Sequence, residues 1–170
     1  MIVIGYQGIG KSTLAGKNNC IDLESGNFWV NGNRNHDWYK AYCQIAVHLH
    51  RQGFIVMTSS HEVVREYFKE IMTSEDRNAT FVCYPDLWLK NAWINKLEER
   101  YQVTQLDKDF KAWKNAEARF SDNINELMTS GFKSIVLETM RYNLEEEIIC
   151  AKERRSGTND YCISKIYLLR

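Results

Sequence analysis

Eight residues near the start of the chain, Gly5-Tyr6-Gln7-Gly8-Ile9-Gly10-Lys11-Ser12, constrain its fold more than any others. They fit the spacing G-x-x-x-x-G-K-[ST]. Glycines in that pattern let backbone N–H groups turn inward around an anion, a turn that residues with a Cβ resist. Lys11 adds a point charge, and the Ser12 hydroxyl can ligate Mg²⁺. A helix starting at Lys11 directs its positive end at the same anion. The β-branched run Ile2-Val3-Ile4 stops at Gly5 and predicts a buried strand ahead of the loop. Strand, glycine loop and helix in that order predict a phosphate cradle made by Gly5, Gln7, Gly8, Ile9, Gly10, Lys11, Ser12 and Thr13.

Downstream, strand and helix candidates alternate at short spacing. CIDLES, FIVMTSS, ATFVCYP and FKSIVLET read as four further strands, the third of these closed by the chain's single proline, Pro85. KSTLAGKN reads as a short helix ended by Gly16 and the Asn pair. DWYKAYCQIAVHLHRQG places Trp38, Tyr42, Ile45, Ala46 and Leu49 on one helical stripe, stopped by Gly53. HEVVREYFKEIM and WLKNAWINKLEERY follow as helices. DKDFKAWKNAEARFSDNINELM keeps Phe110, Trp113, Phe120, Ile124 and Leu127 at helical spacing. YNLEEEIICAKERR reads as a helix and YCISKIYLLR as a last strand, while Asn31-Gly32 signals a tight turn. The pattern predicts one α/β domain over residues 1–170, built on a mostly parallel five-stranded sheet, with a helical insertion at about 87–128.

Lys plus Arg and Asp plus Glu both number 22, giving a formal net charge of zero. That balance argues against a chain whose main task is to coat nucleic acid or an anionic membrane. The five cysteines show no C-x-x-C pair, so reduced thiols are expected and structural zinc is not. No apolar run reaches the roughly 18 residues of a membrane span. The first residues lack a basic leader. A cytoplasmic protein is the expectation.

These residues resemble the small P-loop kinases: the nucleotide and deoxynucleoside kinases, with the gluconate and shikimate kinases alongside. The resemblance runs from Met1 to about Glu138 and implies a three-layer P-loop NTPase domain with a helical lid, using ATP and Mg²⁺. In that group a carboxylate at the end of the second strand meets the acceptor hydroxyl or Mg²⁺; the matching stretch offers Asp22 and Glu24. GFIVMTSSHEVVREY is similar to a strand–Ser–Ala–helix–Arg segment of the gluconate kinases, which puts Ser59 near the phosphates and Arg65 near the acceptor. Arg100 and Arg119 fall where the lid arginines would lie. No D-G-x-P-R segment of the adenylate-type kinases is present, so the acceptor stays open. The pattern is also similar to kinase-like proteins of phages and gut bacteria.

The resemblance implies that Lys11, Asp22, Glu24, Arg100 and Arg119 serve catalysis and that Ser12 and Asp22 hold the metal. Glu24, Phe28, Ser59, His61 and Arg65 would meet the substrate. Phe28, Trp29 and Trp38 can stack on a nucleobase or anchor a loop. His61 opens a helix after a strand, where site residues gather in α/β sheets, or it is a capping histidine. Lys108, Lys111 and Lys114 read as a solvated face able to steer an anion, and Trp88 and Trp93 as packing. The expected activity is phosphate transfer to a nucleoside or nucleoside monophosphate. A gluconate- or shikimate-type metabolite kinase and a regulatory nucleotide-binding module are the alternatives. The third strand ends in Thr58-Ser59-Ser60 without the Asp that switches and motors carry, which disfavours the last. The expected partner is a small-molecule substrate; a homodimer is allowed.

Overall fold

The computed structural model describes residues 1–30 and 33–156. The Asn31-Gly32 turn and the last-strand reading of YCISKIYLLR therefore lie outside the described residues. The apolar run at the start forms β1 (Ile2–Gly5), buried at all four positions. A strand buried on both faces sits inside a sheet covered by helices on each side, and β1 is the middle of one. The main sheet has five strands in the order β2 (Cys20–Asp22), β5 (Ile55–Ser59), β1, β6 (Thr80–Pro85), β7 (Lys133–Leu137). All of its pairings are parallel, so the mostly parallel sheet expected from the sequence is entirely so. A separate antiparallel pair, β3 (Trp29–Val30) and β4 (Asn33–Arg34), flanks the Asn31-Gly32 position.

Register brings the carboxyl ends of the central strands level. Gly5 pairs with Ser59 on one side and Cys83 on the other, and Asp22 pairs with Met57. From β1 the chain crosses to β2 at one edge, whereas from β6 it crosses to β7 at the opposite edge. The order therefore reverses between β1 and β6, and such a reversal opens a crevice above the strand ends. The glycine loop sits there.

The helices are α1 (Lys11–Leu14), α2 (Trp38–Arg51), α3 (Glu62–Ile71), α4 (Ser74–Asn78), α5 (Lys90–Thr104), α6 (Asp107–Met128) and α7 (Leu144–Ser156). α2 and α3 pack together against the β5 and β1 side, while α7 packs on β7 and α1. Right-handed crossovers require opposite faces for α1, which leads leftward, and α2, which leads back. On α2 the buried face carries Tyr42, Cys43, Ala46 and Val47. Ile45, expected on the apolar stripe, is 41% exposed. Spacing alone allowed a face through 42/45/46/49 or 42/43/46/47, and the corner between the sheet and α3 selects the second. α4 carries a reciprocal cap in which Thr73 and Asp76 bond each other's backbone N–H.

α5 and α6 form a helical hairpin closed by Gln105 in the left-handed region (φ 52°). α6 matches its predicted bounds and buries Phe120, Ile124 and Leu127, each contributing about 1.5–3 kcal/mol when fully covered. It bends at Arg119, whose φ of −136° and ψ of 22° break the helix locally. Among the described residues no helix is long and apolar enough to cross a membrane.

Candidate functional site

The loop between β1 and α1 is held from both ends. Tyr6 N–H donates to Cys83 O at 2.8 Å, and the Ile9 side chain is fully buried, so Ile9 offers the loop only its backbone. Gly8 (φ 83°) and Gly10 (φ 94°) adopt left-handed backbone, which side chains resist. α1 begins directly after Gly10, so Ser12 and Thr13 stand exposed at its first turn. The Lys11 side chain folds back over the loop, donating from Nζ to Gly5 O at 3.1 Å and Tyr6 O at 3.4 Å.

Opposite the loop, β2 ends at Asp22, which leaves Glu24 beyond the strand and free of its alternation. Ser12 Oγ donates to Asp22 Oδ2 at 3.1 Å. Asp22 Oδ1 is buried without a hydrogen-bond partner, as are Thr58 Oγ1 and Ser59 Oγ at the end of β5. Buried oxygens without a donor are costly, and a cation or its water shell satisfies them. Among the described residues no group of three His, Cys, Asp or Glu could cage a metal. Mg²⁺ bound with phosphates needs no such cage, because it takes one or two protein oxygens and fills its other positions from phosphate and water. Ser12 and Asp22 fit that demand.

Burial pushes the Lys11 ammonium below its ordinary value, and the Asp22 and Glu24 carboxylates pull it partly back. Burial likewise raises the Asp22 carboxyl, with Glu24 adding to the rise; Lys11, the Ser12 bond and Lys108 oppose it. Lys108, in the first turn of α6, thus acts on this carboxylate. Arg100 of α5 is close enough to Lys11 to depress it further. Its Nη2 pairs with the buried Asp109 at 2.7 Å, leaving its buried Nε without a partner. Thr104 Oγ1 also donates to Asp109, at 2.6 Å.

A second group lies beyond β2 and β5. The buried Tyr42 hydroxyl donates to Leu23 O at 2.7 Å and accepts from Ser59 N–H at 2.8 Å, tying the two strand ends together. Phe28 and Trp38 pack edge-on around Tyr42, and exposed His61 stands perpendicular to Trp38 at 5.8 Å. Phe28 is partly buried against the core, so it anchors its loop while keeping an open side. Arg65 is buried, donates to Ser60 O, and reaches Glu126 Oε2 at 3.1 Å. Arg119 reaches the other oxygen of Glu126 at 3.0 Å. The two arginines therefore share one carboxylate, with Arg119 there rather than on the glycine loop.

The loop is braced from outside by residues distant in the chain. Trp93 Nε1 donates to Gln7 O at 3.0 Å, and Tyr142 Oη reaches Gly8 O at 3.4 Å. Lys96 Nζ donates to Tyr142 Oη at 2.9 Å. Gln7 in turn binds α6 through Ala112 O at 2.7 Å and Asn115 at 3.3 Å. No local pattern marks these partners, because they arise only when α5 and the segment after β7 converge on the loop. Trp93, expected as packing, packs and also donates. Compared with protein-family models, curated proteins and solved structures, the chain finds no match.

Proposed function

We propose that the chain is an ATP- and Mg²⁺-dependent phosphotransferase of the P-loop kinase type, with α5 and α6 as its lid and a nucleoside or nucleoside monophosphate as acceptor. One observation carries the reading. A left-handed glycine loop runs into the start of α1 at Lys11, and the Ser12–Asp22 pair beside it leaves a buried carboxylate oxygen without a donor. The cradle suits a polyphosphate and the pair suits the cation that accompanies one.

Mg²⁺, when bound, would neutralise charge on the transferring phosphoryl group. The chain's own residues supply the remainder. Loop N–H groups and Lys11 bind and orient the donor phosphates. Arg100, presented by Asp109, adds positive charge at the mouth of the loop. With Asp22 committed to the cation, Glu24 is free to take a proton from an acceptor hydroxyl. Ser59 and the Phe28–Trp38–His61 group would line the acceptor side, while Arg65, buried and paired with Glu126, braces α3 against α6 behind it. Holding both reactants in line supplies most of the rate in such transfers.

The test is a coupled assay of ADP release over a panel of nucleosides, nucleoside monophosphates and sugar acids, with Lys11→Ala as control. Acceptor-dependent turnover lost in the variant, whose fold survives, is the expected result. Turnover indifferent to every acceptor, or undiminished by Lys11→Ala, would overturn the reading.

A further inference from the structure

We infer that Lys96 is a positioning residue of the phosphate loop, bracing it through Tyr142 and Trp93 and lending it a positive charge that no carboxylate among the described residues cancels. The inference rests on the reading that the loop takes phosphate. The rings of Trp93 and Tyr142 stack at 5.9 Å and 18°, and the Lys96 ammonium lies over both, 4.3 and 4.9 Å from their centroids. These rings hold the carbonyls of Gln7 and Gly8. The described peptide bonds are all trans, so each carbonyl points opposite the N–H of the following residue. Drawing Gln7 O and Gly8 O outward therefore aims the Gly8 and Ile9 N–H groups into the cradle. Lys96 orders the brace that aims them.

Its charge is the second half of the argument. Lys96 is half-buried, and burial lowers its ammonium below the usual lysine range, with Arg100 adding to the fall. Its polar partner is a phenol and its remaining contacts are ring faces; among the described residues no carboxylate pairs with it. Ring faces offset only part of the cost of taking an ammonium out of water. A methionine would fill the same space without that cost. The ligand-free fold thus bears an uncompensated cation behind the loop, which a bound polyphosphate compensates. A lysine kept only for packing or stability would behave in the opposite way.

The test compares the wild type with Lys96→Met, Lys96→Arg and Tyr142→Phe. Calorimetry with Mg·ATP, and with pyrophosphate, which lacks the base, gives affinity; thermal melts without ligand give stability. Lys96→Met is expected to weaken both ligands about tenfold, the weight of one partly screened charge, while its ligand-free Tm stays level or rises. Lys96→Arg retains most of the affinity. Tyr142→Phe, which keeps the charge and loses the brace, weakens both ligands and also lowers Tm, because it strands Lys96 Nζ and Gly8 O. The inference is overturned if Lys96→Met binds pyrophosphate as tightly as the wild type, or weakens only alongside a fall in Tm. A wild type that bound neither ligand would sink the phosphate-loop reading and this inference together.

Discussion

Gly8→Ala and Gly10→Ala form a matched pair that separates backbone strain from crowding. Both glycines sit at positive φ, 83° and 94°, so an alanine at either costs about 1–2 kcal/mol in the left-handed region. The surroundings differ. A Cβ at Gly10 meets nothing within 4 Å, whereas at Gly8 it lies 2.8 Å from Leu97 Cδ2 and 3.3 Å from Trp93 Nε1. Leu97 and Trp93 are both fully buried, so neither can swing clear. Overpacking of this kind adds about 1–3 kcal/mol. Gly8→Ala should therefore cost about 2–5 kcal/mol, a large share of the 5–15 kcal/mol typical of a domain. Urea unfolding with fitted slopes measures the two costs, and Tm should fall by about 2–4 °C per kcal/mol for a chain of this size. Leu97→Ala makes room for the new methyl, so the double variant with Gly8→Ala should cost less than the sum of the singles, by about 0.5–3 kcal/mol. Equal costs at the two glycines, or strict additivity in the double, would refute the reasoning. Either would mean that α5 does not press on the loop.

Three other predictions follow from the ionisable and buried groups. Burial raises the Asp22 carboxyl, so its ionised form costs stability, a cost that sets in as pH climbs past the unfolded value of about 3.9 and is complete above the raised folded value. Asp22→Asn should raise Tm at pH 7, change it little at pH 3 and abolish Mg²⁺-dependent turnover, as melts across pH and the ADP assay will report. Asp76 behaves in the reverse sense: the Arg51 guanidinium holds its carboxyl well below the usual range, so its stabilisation is present above about pH 3.9 and fades as pH falls toward the folded value. Asp76→Asn should cost about 1.5–3 kcal/mol at pH 7 by urea titration and far less at pH 2. Tyr42→Phe strands the Ser59 N–H and the Leu23 carbonyl, and should cost about 1–3 kcal/mol by the same titration.

What the sequence could disclose followed the range of the interactions involved. The glycine loop's left-handed turns were legible from eight contiguous residues, whereas its bracing by Trp93 and Tyr142 was not. α6 was legible to its ends, but of the stripe from Phe110 to Leu127 only Phe120, Ile124 and Leu127 are buried; Phe110, ahead of the bend at Arg119, is 39% exposed. α2 offered two faces of equal spacing, and only the packing of α3 decided between Ile45 and Val47. The cap at Thr73 and Asp76 is local, carried by a three-residue spacing. Lys96, Asp109 and Tyr142 are different in kind. Nothing local distinguishes Lys96 from the lysines around it; its significance comes from Tyr142, 46 positions away. The same holds for Glu126, which joins arginines of α3 and α6 to which the resemblance gives separate tasks.

Two acid–base pairs in this molecule show why stability and binding call for different electrostatics. At Arg51–Asp76 the hydrogen bonds outweigh burial, and both partners shift toward their charged forms, as a structural ion pair requires. At Lys11 and Asp22 burial outweighs mutual attraction, and both partners shift toward neutrality. A sequence selected only for stability would replace such a pair or bring it into direct contact. Relief comes to both at once only from outside, through an anion at Lys11 and a cation at Asp22. A metal–polyphosphate carries both kinds of charge. On the proposed function, the Asp22 oxygen that does not bond Ser12, which has no hydrogen-bond partner among the described residues, is where that cation would bind.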